Sequence, residues 1–410
     1  VAFKHNNYAL NLYFNVSVNN IKHTRAQGFH QILITFPVII TCFTSKKMAF
    51  LPYSECIVLC ATIFLFFTLS SSMSQAELDA HYYDKTCPQA ENIISDTVLS
   101  ASKFDPKVPA RILRMFFHDC FIRGCDASIL LDSTPKNLAE KDGPPNLSVH
   151  SFYVIDEAKT KLEKACPHTV SCADIIAIAA RDVVAQSGGP YWNVLKGRKD
   201  GRVSKASETV NLPAPTLNVN ELIKSFAKRG LGVKDMVTLS GGHTLGFSHC
   251  SSFQARVHNF SLLHAIDPSL NTEFALDLIR NCPKLNTNPN AGHFLDATSS
   301  VFDNDYYRQL LVGKGLFSSD QSLVGDQRTR WIVEAFAKDQ GFFFREFVAS
   351  MLKLGNVGVS QNGEVRLNCK ISVTEQESSE GACNLDSDLL SFESTVETGR
   401  HQVMMLWQLE

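Results

Sequence analysis

The sequence predicts a mainly α protein. Apolar residues recur at spacings of three and four along the stretch from 77 to 370, helix punctuation is frequent there, and strand signals are few and short. In order, helices are expected over 90–102, 109–121, 151–165, 172–187, 219–229, 233–240, 253–260, 304–312, 328–339 and 340–354. Val170-Ser171-Cys172-Ala173-Asp174 reads as the start of the fourth of these, and Ser187-Gly188-Gly189-Pro190 as its end. Gly143-Pro144-Pro145 and Leu212-Pro213-Ala214-Pro215 hold the chain extended between helices, since proline drives the preceding residue out of the α region. No internal repeat and no linker between two domains is visible.

The chain has 410 residues, 44% of them hydrophobic and 20% charged, enough for one large or two medium globular domains. A formal net charge of −2 leaves no basic surplus for phosphates, so no nucleic-acid partner is expected. Twelve cysteines without paired metal-ligand spacing point to disulfides in an oxidising compartment, and so to a signal sequence. A match lies inside the chain. Met48, preceded by two lysines, starts a segment whose apolar run over 57–69 ends in small residues, with cleavage expected before Glu77. That run is too short for a membrane span, and no stable membrane insertion is expected once it is removed. The expected division is therefore 1–47 as a spurious extension resembling translated AT-rich sequence, 48–76 as signal peptide, 77–370 as the folded domain, and 371–410 as a disordered tail or gene-model artefact. A sorting role for the tail is the alternative.

Chemistry concentrates in the run from Arg114 to Ser128. Arg114 and His118 are four apart and share a helix face, where a base and a permanent cation converge on one small molecule. Such a pair suits cleavage of a small polar bond, in which a proton moves and negative charge must be held. Asp119 is rotated away by about 100°. With Asp126 and Ser128 it offers hard oxygen ligands on the other side of the helix. Alone, the motif is equally compatible with a helix bearing a surface ion pair. A second motif, Leu239-Ser240-Gly241-Gly242-His243-Thr244-Leu245-Gly246, sets a histidine among small residues that leave room for a flat, bulky ligand.

Together the two motifs resemble those of the secreted plant (class III) haem peroxidases. The resemblance runs from about Tyr82 to Cys369. It also takes in Tyr83-Asp84-Lys85-Thr86-Cys87-Pro88, Asn211-Leu212-Pro213-Ala214-Pro215, Phe302-Asp303-Asn304, Ser319-Asp320-Gln321 and Arg366-Leu367-Asn368-Cys369. It implies a two-lobed all-helical fold with one haem b between distal and proximal helices. On the distal side His118 would move the proton of hydrogen peroxide, Arg114 would hold the developing charge, Asn146 would orient His118, and Phe117 would wall off organic substrate. On the proximal side His243 would be the axial iron ligand and Asp320 would accept its other ring proton. Small phenolic donors would give single electrons at the haem edge, with Pro213 at the substrate side. A monomer is expected.

The resemblance further implies two calcium ions. The distal one would use Asp119, Asp126 and Ser128, the carbonyls of Ile122 and Gly124, and Glu140 through water; the proximal one Thr244, Asp296, Thr298, Asp303 and the carbonyl of Val301. Four disulfides follow from the same framework: Cys87–Cys166, Cys120–Cys125, Cys172–Cys369 and Cys250–Cys282. Of the sequons at Asn146 and Asn259, only Asn259 is expected to carry glycan. Localisation is expected to be secreted, at the cell wall or outside it, with the vacuole as alternative, and the enzyme is expected to act in lignification, phenolic cross-linking or oxidative stress.

The chain departs from the family at Phe116, often histidine, at Gly242, often alanine, at Ser252, aromatic in some relatives, and in a 296–303 loop one residue shorter than in many members. Two rival readings differ in class. A haem- and calcium-binding protein without turnover is disfavoured by retention of both Arg114 and His118. A cysteine hydrolase built on His118 and Asp119 is disfavoured because Cys120 is expected to be oxidised.

Overall fold

The computed structural model describes residues 78–285 and 287–373. The expected signal segment, the stretch before it and the tail beyond 373 lie outside the described residues. Eleven α-helices occur among them: α1 (Ala90–Phe104), α2 (Val108–Ile122), α3 (Phe152–Ala165), α4 (Cys172–Gln186), α5 (Val219–Ala227), α6 (Val233–Ser240), α7 (Thr272–Asn281), α8 (Asp305–Leu311), α9 (Ser318–Gly325), α10 (Gln327–Lys338) and α11 (Gln340–Leu354). The one ladder described is a short antiparallel pair, β1 (Phe247–His249) with β2 (Gly292–Phe294). No helix among the described residues is long and apolar enough to cross a membrane.

α4 organises the N-terminal half. Every residue from 172 to 184 is buried, so the helix is enclosed on all sides, with Asp174, Arg181 and Asp182 among the enclosed residues. It packs against α1 and α2. Its N-terminus is closed by Ser171, whose hydroxyl accepts the Asp174 N–H, and by Asp200, whose carboxylate accepts the N–H groups of Cys172 and Ala173. α2 begins with Pro109 in its first turn, where a missing N–H costs nothing. α5 opens on a capping box in which Asn218 accepts the Glu221 N–H and Glu221 accepts that of Asn218. The buried apolar side chains form one continuous core, with a satellite cluster around Phe253, Leu270 and Leu278.

Nine of the ten expected helices are present with ends shifted by two residues or fewer. The helix expected over 253–260 is absent. That stretch folds around Arg256, only 2% exposed, which donates to the Asp267 carboxylate and to the carbonyls of Gly315 and Leu316. The chain then turns at Asn259, in left-handed conformation with φ +58°. A buried cation that gathers distant carbonyls overrides local apolar spacing. Conversely, α7 and α9 were not expected from the sequence. Their starts are set by Asn271, which caps the Phe274 N–H, and by Asp320, which accepts the Phe317 N–H.

Four disulfides form among the described residues, Cys87–Cys166, Cys120–Cys125, Cys172–Cys369 and Cys250–Cys282, the pairing that the resemblance implied. Cys172–Cys369 ties the start of α4 to the end of the domain, and Cys250–Cys282 ties the residue after β1 to the end of α7.

Candidate active site

α2 presents Arg114 and His118 one turn apart. His118 Nδ1 lies 2.6 Å from Asn146 Oδ1, and Asn146 Nδ2 donates to the Glu140 carbonyl at 2.8 Å. Because the amide oxygen can only accept, the proton sits on Nδ1 and leaves a bare lone pair on Nε2. Burial, and secondarily the charge of Arg114, push the His118 imidazole down to about 3, against the upward pull of the Asn146 bond. The residue is therefore a neutral base across the physiological range. The Arg114 guanidinium is held by the Ser148 carbonyl and hydroxyl and by the Pro145 carbonyl, without a carboxylate partner among the described residues. Burial lowers it only to about 10, so it stays cationic. Phe117 stacks on Phe121 with ring centres 4.4 Å apart. Asn146 is 1% exposed and its side chain is committed at both ends, which leaves no room for glycan; Asn259 is exposed.

The second histidine stands on the short turn Gly241–Thr244 after α6. Its Nδ1 meets Asp320 Oδ1 at 2.8 Å. The same carboxylate accepts from the Tyr306 hydroxyl at 2.9 Å and from the Phe317 N–H at 3.1 Å, so its position is fixed by three donors. Burial, with the Asp320 charge next, keeps the Tyr306 phenol protonated and donating. Small residues let this segment approach α2. A Cβ on Gly246 would lie 2.9 Å from that of Ala110, and one on Gly242 would be in ordinary contact with Leu113. Gly246 also has φ +109°, which L side chains rarely adopt.

Both histidines thus have Nδ1 anchored to a buried oxygen and Nε2 without a protein partner among the described residues. The His243 side chain remains 39% exposed although Asp320 behind it is 3% exposed. This donor set fits a haem: one imidazole made electron-rich by a carboxylate for the iron, and one neutral base with a fixed cation on the other side.

On the outer side of α2, Asp119, Asp126, Ser128 and Glu140 come together. Ser128 Oγ donates to Glu140 Oε2 at 3.1 Å, Asp119 accepts the N–H groups of Ala127 and Ile129, and Asp126 accepts that of Ser128. Glu140 Oε1 is buried with no partner. Burial, then the charges of Asp119 and Asp126, push the Glu140 carboxyl up to about 9; burial and Asp126 likewise hold Asp119 well above the usual range. Carboxyls that feel one another's charge, one of them with an orphaned oxygen, suit a hard divalent cation once hydroxyl and carbonyl oxygens complete the set. The Ile122 carbonyl also accepts from Arg229 at 2.9 Å, while Gly124 holds φ +128° beside Gly358.

Around His243 a second oxygen set converges. Thr244 Oγ1 donates to Asp296 Oδ2 at 2.6 Å and lies 3.4 Å from the Val301 carbonyl and 3.3 Å from Asp303 Oδ1. Thr298 Oγ1 lies 3.1 Å from the same Asp303 oxygen. The 296–303 loop brings Asp296 onto Thr244. Burial, against the Thr244 and Thr298 bonds, raises Asp296 to about 7. Among the described residues no three histidine, cysteine or acidic side chains converge as a ready metal cluster, so either set needs its hydroxyl and carbonyl oxygens too. Pro213 is half-buried just after the turn Ala206–Asn211.

Sequence reasoning missed several supports of the site: the loop carbonyls that hold Arg114, the Tyr306 hydroxyl on Asp320, and Arg229 on the Ile122 carbonyl. Each is a long-range contact without a local pattern to reveal it.

A mainly helical fold whose α2 and Gly241–Thr244 turn each bring forward an anchored imidazole is the architecture of a haem peroxidase. Comparison with known proteins gives the same class. The peroxidase family pattern matches residues 89–339. The chain is 70% identical over 298 residues to Peroxidase 66 of Arabidopsis thaliana, a match covering 72% of this chain and 92% of that relative. It is 57% identical over 293 residues to Peroxidase 64 (72% and 92%) and 48% identical over 295 residues to Peroxidase 47 (72% and 88%), both from Arabidopsis thaliana. The chain belongs to the class III plant peroxidases, and it is a haem-dependent enzyme that reduces hydrogen peroxide at the expense of an electron donor.

Proposed function

We propose that the electron donors are small phenols, oxidised in successive one-electron steps, and that the residues described above divide the work as follows. Haem b would supply redox-active iron as the centre at which peroxide is reduced. His243 would hold that iron, and Asp320 keeps Nδ1–H directed and the ring electron-rich. His118 Nε2 takes a proton from one oxygen of hydrogen peroxide and gives it to the other, which leaves as water. The Arg114 guanidinium holds the negative charge that develops as the O–O bond breaks. Asn146 keeps the His118 tautomer correct. Phe117 walls the distal side, so that donors approach from the edge near Pro213 and give up electrons singly.

Two calcium ions complete the reading. The distal one would be held by Asp119, Asp126, Ser128 and the carbonyls of Ile122 and Gly124, with Glu140 behind. The proximal one would be held by Thr244, Asp296, Thr298, Asp303 and the Val301 carbonyl. The protein acts as a monomer in the cell wall or outside the cell, with 48–76 removed on secretion, and serves lignification, phenolic cross-linking or the response to oxidative stress.

The observation that carries the site assignment is the pair of anchored imidazoles, 2.6 Å to Asn146 and 2.8 Å to Asp320. The test is stopped-flow absorbance of the haem- and calcium-loaded 77–370 fragment, mixed with hydrogen peroxide and then with guaiacol. A Soret band that changes on adding peroxide and returns on adding the phenol is expected. Haem binding with no response to peroxide would replace this reading with that of a binding protein without turnover.

A further inference from the structure

A file of aromatic rings leads away from His243 toward the surface. Tyr306 lies 6.0 Å from the His243 ring, Tyr307 5.0 Å from Tyr306, and Phe343 5.0 Å from Tyr307, all between ring centres. Phe347 follows at 5.7 Å and Trp192 at 6.3 Å. The next residue, Tyr191, is 61% exposed. Its phenol oxygen accepts from Arg181 Nη1 at 2.7 Å, and the guanidinium stands 4.3 Å from the ring centre. That cation is balanced by Asp182 at 2.6 Å and Glu91 at 2.9 Å, so oxidation of the ring is not opposed by an unpaired positive charge. Electron tunnelling falls steeply with the gap between π systems; from His243 to Trp192 each ring-to-ring step is 6.3 Å or less between centres, and Tyr191 is joined to Trp192 by one peptide bond.

We propose that Tyr191 is a second donor site, at which phenolic groups borne on polymers too large to enter the histidine-lined site are oxidised. This rests on the phenol-oxidising reading above. Hydrogen peroxide, reduced to water with two protons and two electrons, is the oxidant. For each electron, Tyr191 passes one inward along the rings and releases its phenolic proton to water. The resulting phenoxyl takes an electron and a proton from a polymer phenol, which is left as the radical. Two polymer phenols are oxidised per peroxide, and Tyr191 is restored. The two phenylalanines couple the ends without being oxidised themselves, whereas Trp192 and the tyrosines are the oxidisable stations.

The experiment uses the full-chain holoenzyme and its Tyr191→Phe variant, which keeps the ring over Arg181. One equivalent of peroxide is added with a nitroso spin trap, and the trapped residue is located by mass spectrometry. Oxidation of a water-soluble lignosulfonate and of guaiacol is then measured. The expected result is a trap adduct on Tyr191 in the wild type and none at position 191 in the variant. Lignosulfonate oxidation should fall at least tenfold in the variant, with guaiacol turnover within twofold of wild type. No adduct on Tyr191 in the wild type, or undiminished lignosulfonate oxidation in Tyr191→Phe, overturns the proposal. Phe347→Leu, which opens the ring file and leaves Tyr191 in place, should lower both the adduct and lignosulfonate oxidation; wild-type values there overturn the route. A wild-type enzyme that fails to oxidise guaiacol refutes the phenol-oxidising reading itself, and this proposal with it.

Discussion

Replacing Asn146 with alanine isolates one bond in the proton-transfer machinery. In the native protein the 2.6 Å contact satisfies the Nδ1–H of a histidine that is 8% exposed, with the asparagine itself 1% exposed. When His118 takes the peroxide proton the ring becomes a cation, and the same contact becomes charge-assisted. A hydrogen bond to a neutral group contributes ~0.5–1.5 kcal/mol and one to a charged group ~1.5–3 kcal/mol. The difference, about 1–2 kcal/mol, is stabilisation that exists only after proton transfer. Its loss slows the peroxide step by about 5- to 30-fold. The substitution also removes the one influence that raises the His118 imidazole against burial and the Arg114 charge, so the acid limb of the pH–rate profile moves to lower pH. The assay is the second-order rate of the Soret change on mixing holoenzyme with hydrogen peroxide from about pH 2.5 to 8, a range that includes the acid limb near 3, with the later guaiacol step as control. A variant with an intact Soret band and an unchanged peroxide rate would refute the assignment of Asn146 as the group that orients His118.

Other perturbations test the rest of the site. Asp320→Asn removes the charged acceptor from His243 while an amide oxygen can still meet Tyr306 and Phe317; the haem iron potential should rise and turnover fall by about 10- to 100-fold, read by spectroelectrochemistry and steady-state kinetics. Calcium removal should make stability pH-dependent. Burial and the neighbouring carboxylates put the metal-free folded pKa of Glu140 at about 9, above its ordinary value, so its contribution is fully present below about 4.5 and is lost as pH rises toward 9. Thermal melts in chelator should therefore fall between pH 5 and 9 while calcium-loaded protein holds; parallel curves would count against the distal calcium set. Asp200→Ala strips the acceptor from the N-terminus of α4 and the carboxylate from Arg366, both side chains fully buried, and should cost about 3–5 kcal/mol in denaturant unfolding; a loss under 1 kcal/mol would mean that Arg366's carbonyl partners suffice.

Much of the fold was legible because its helices carry their own signals. The stretch over 172–187 declared itself by an apolar run behind a serine, and 340–354 by phenylalanines at helical spacing. Failure came where a side chain acts at long range. The 253–260 stretch has helical spacing, but Arg256 is drawn into the Asp267 carboxylate and the carbonyls of 315 and 316, and the backbone follows it. α9 stayed hidden because the residue that caps it, Asp320 at its third position, is read locally as one polar residue among serines; its carboxylate also serves His243 and Tyr306.

By itself the sequence determined which chemical groups exist and which of them share a helix: Arg114 with His118 on one face and Asp119 turned away are consequences of helical periodicity. Resemblance to a family added partners for the cysteines. It also named Asn146 for His118 and Asp320 for His243, but only tertiary structure makes those contacts, across 28 and 77 residues, and leaves Glu140 with one oxygen unpartnered beside two other carboxylates. The reason is physical. Periodicity governs neighbours within a few residues, whereas a hydrogen bond or a carboxylate cluster depends on where the core brings separate helices together, and no local pattern encodes that distance.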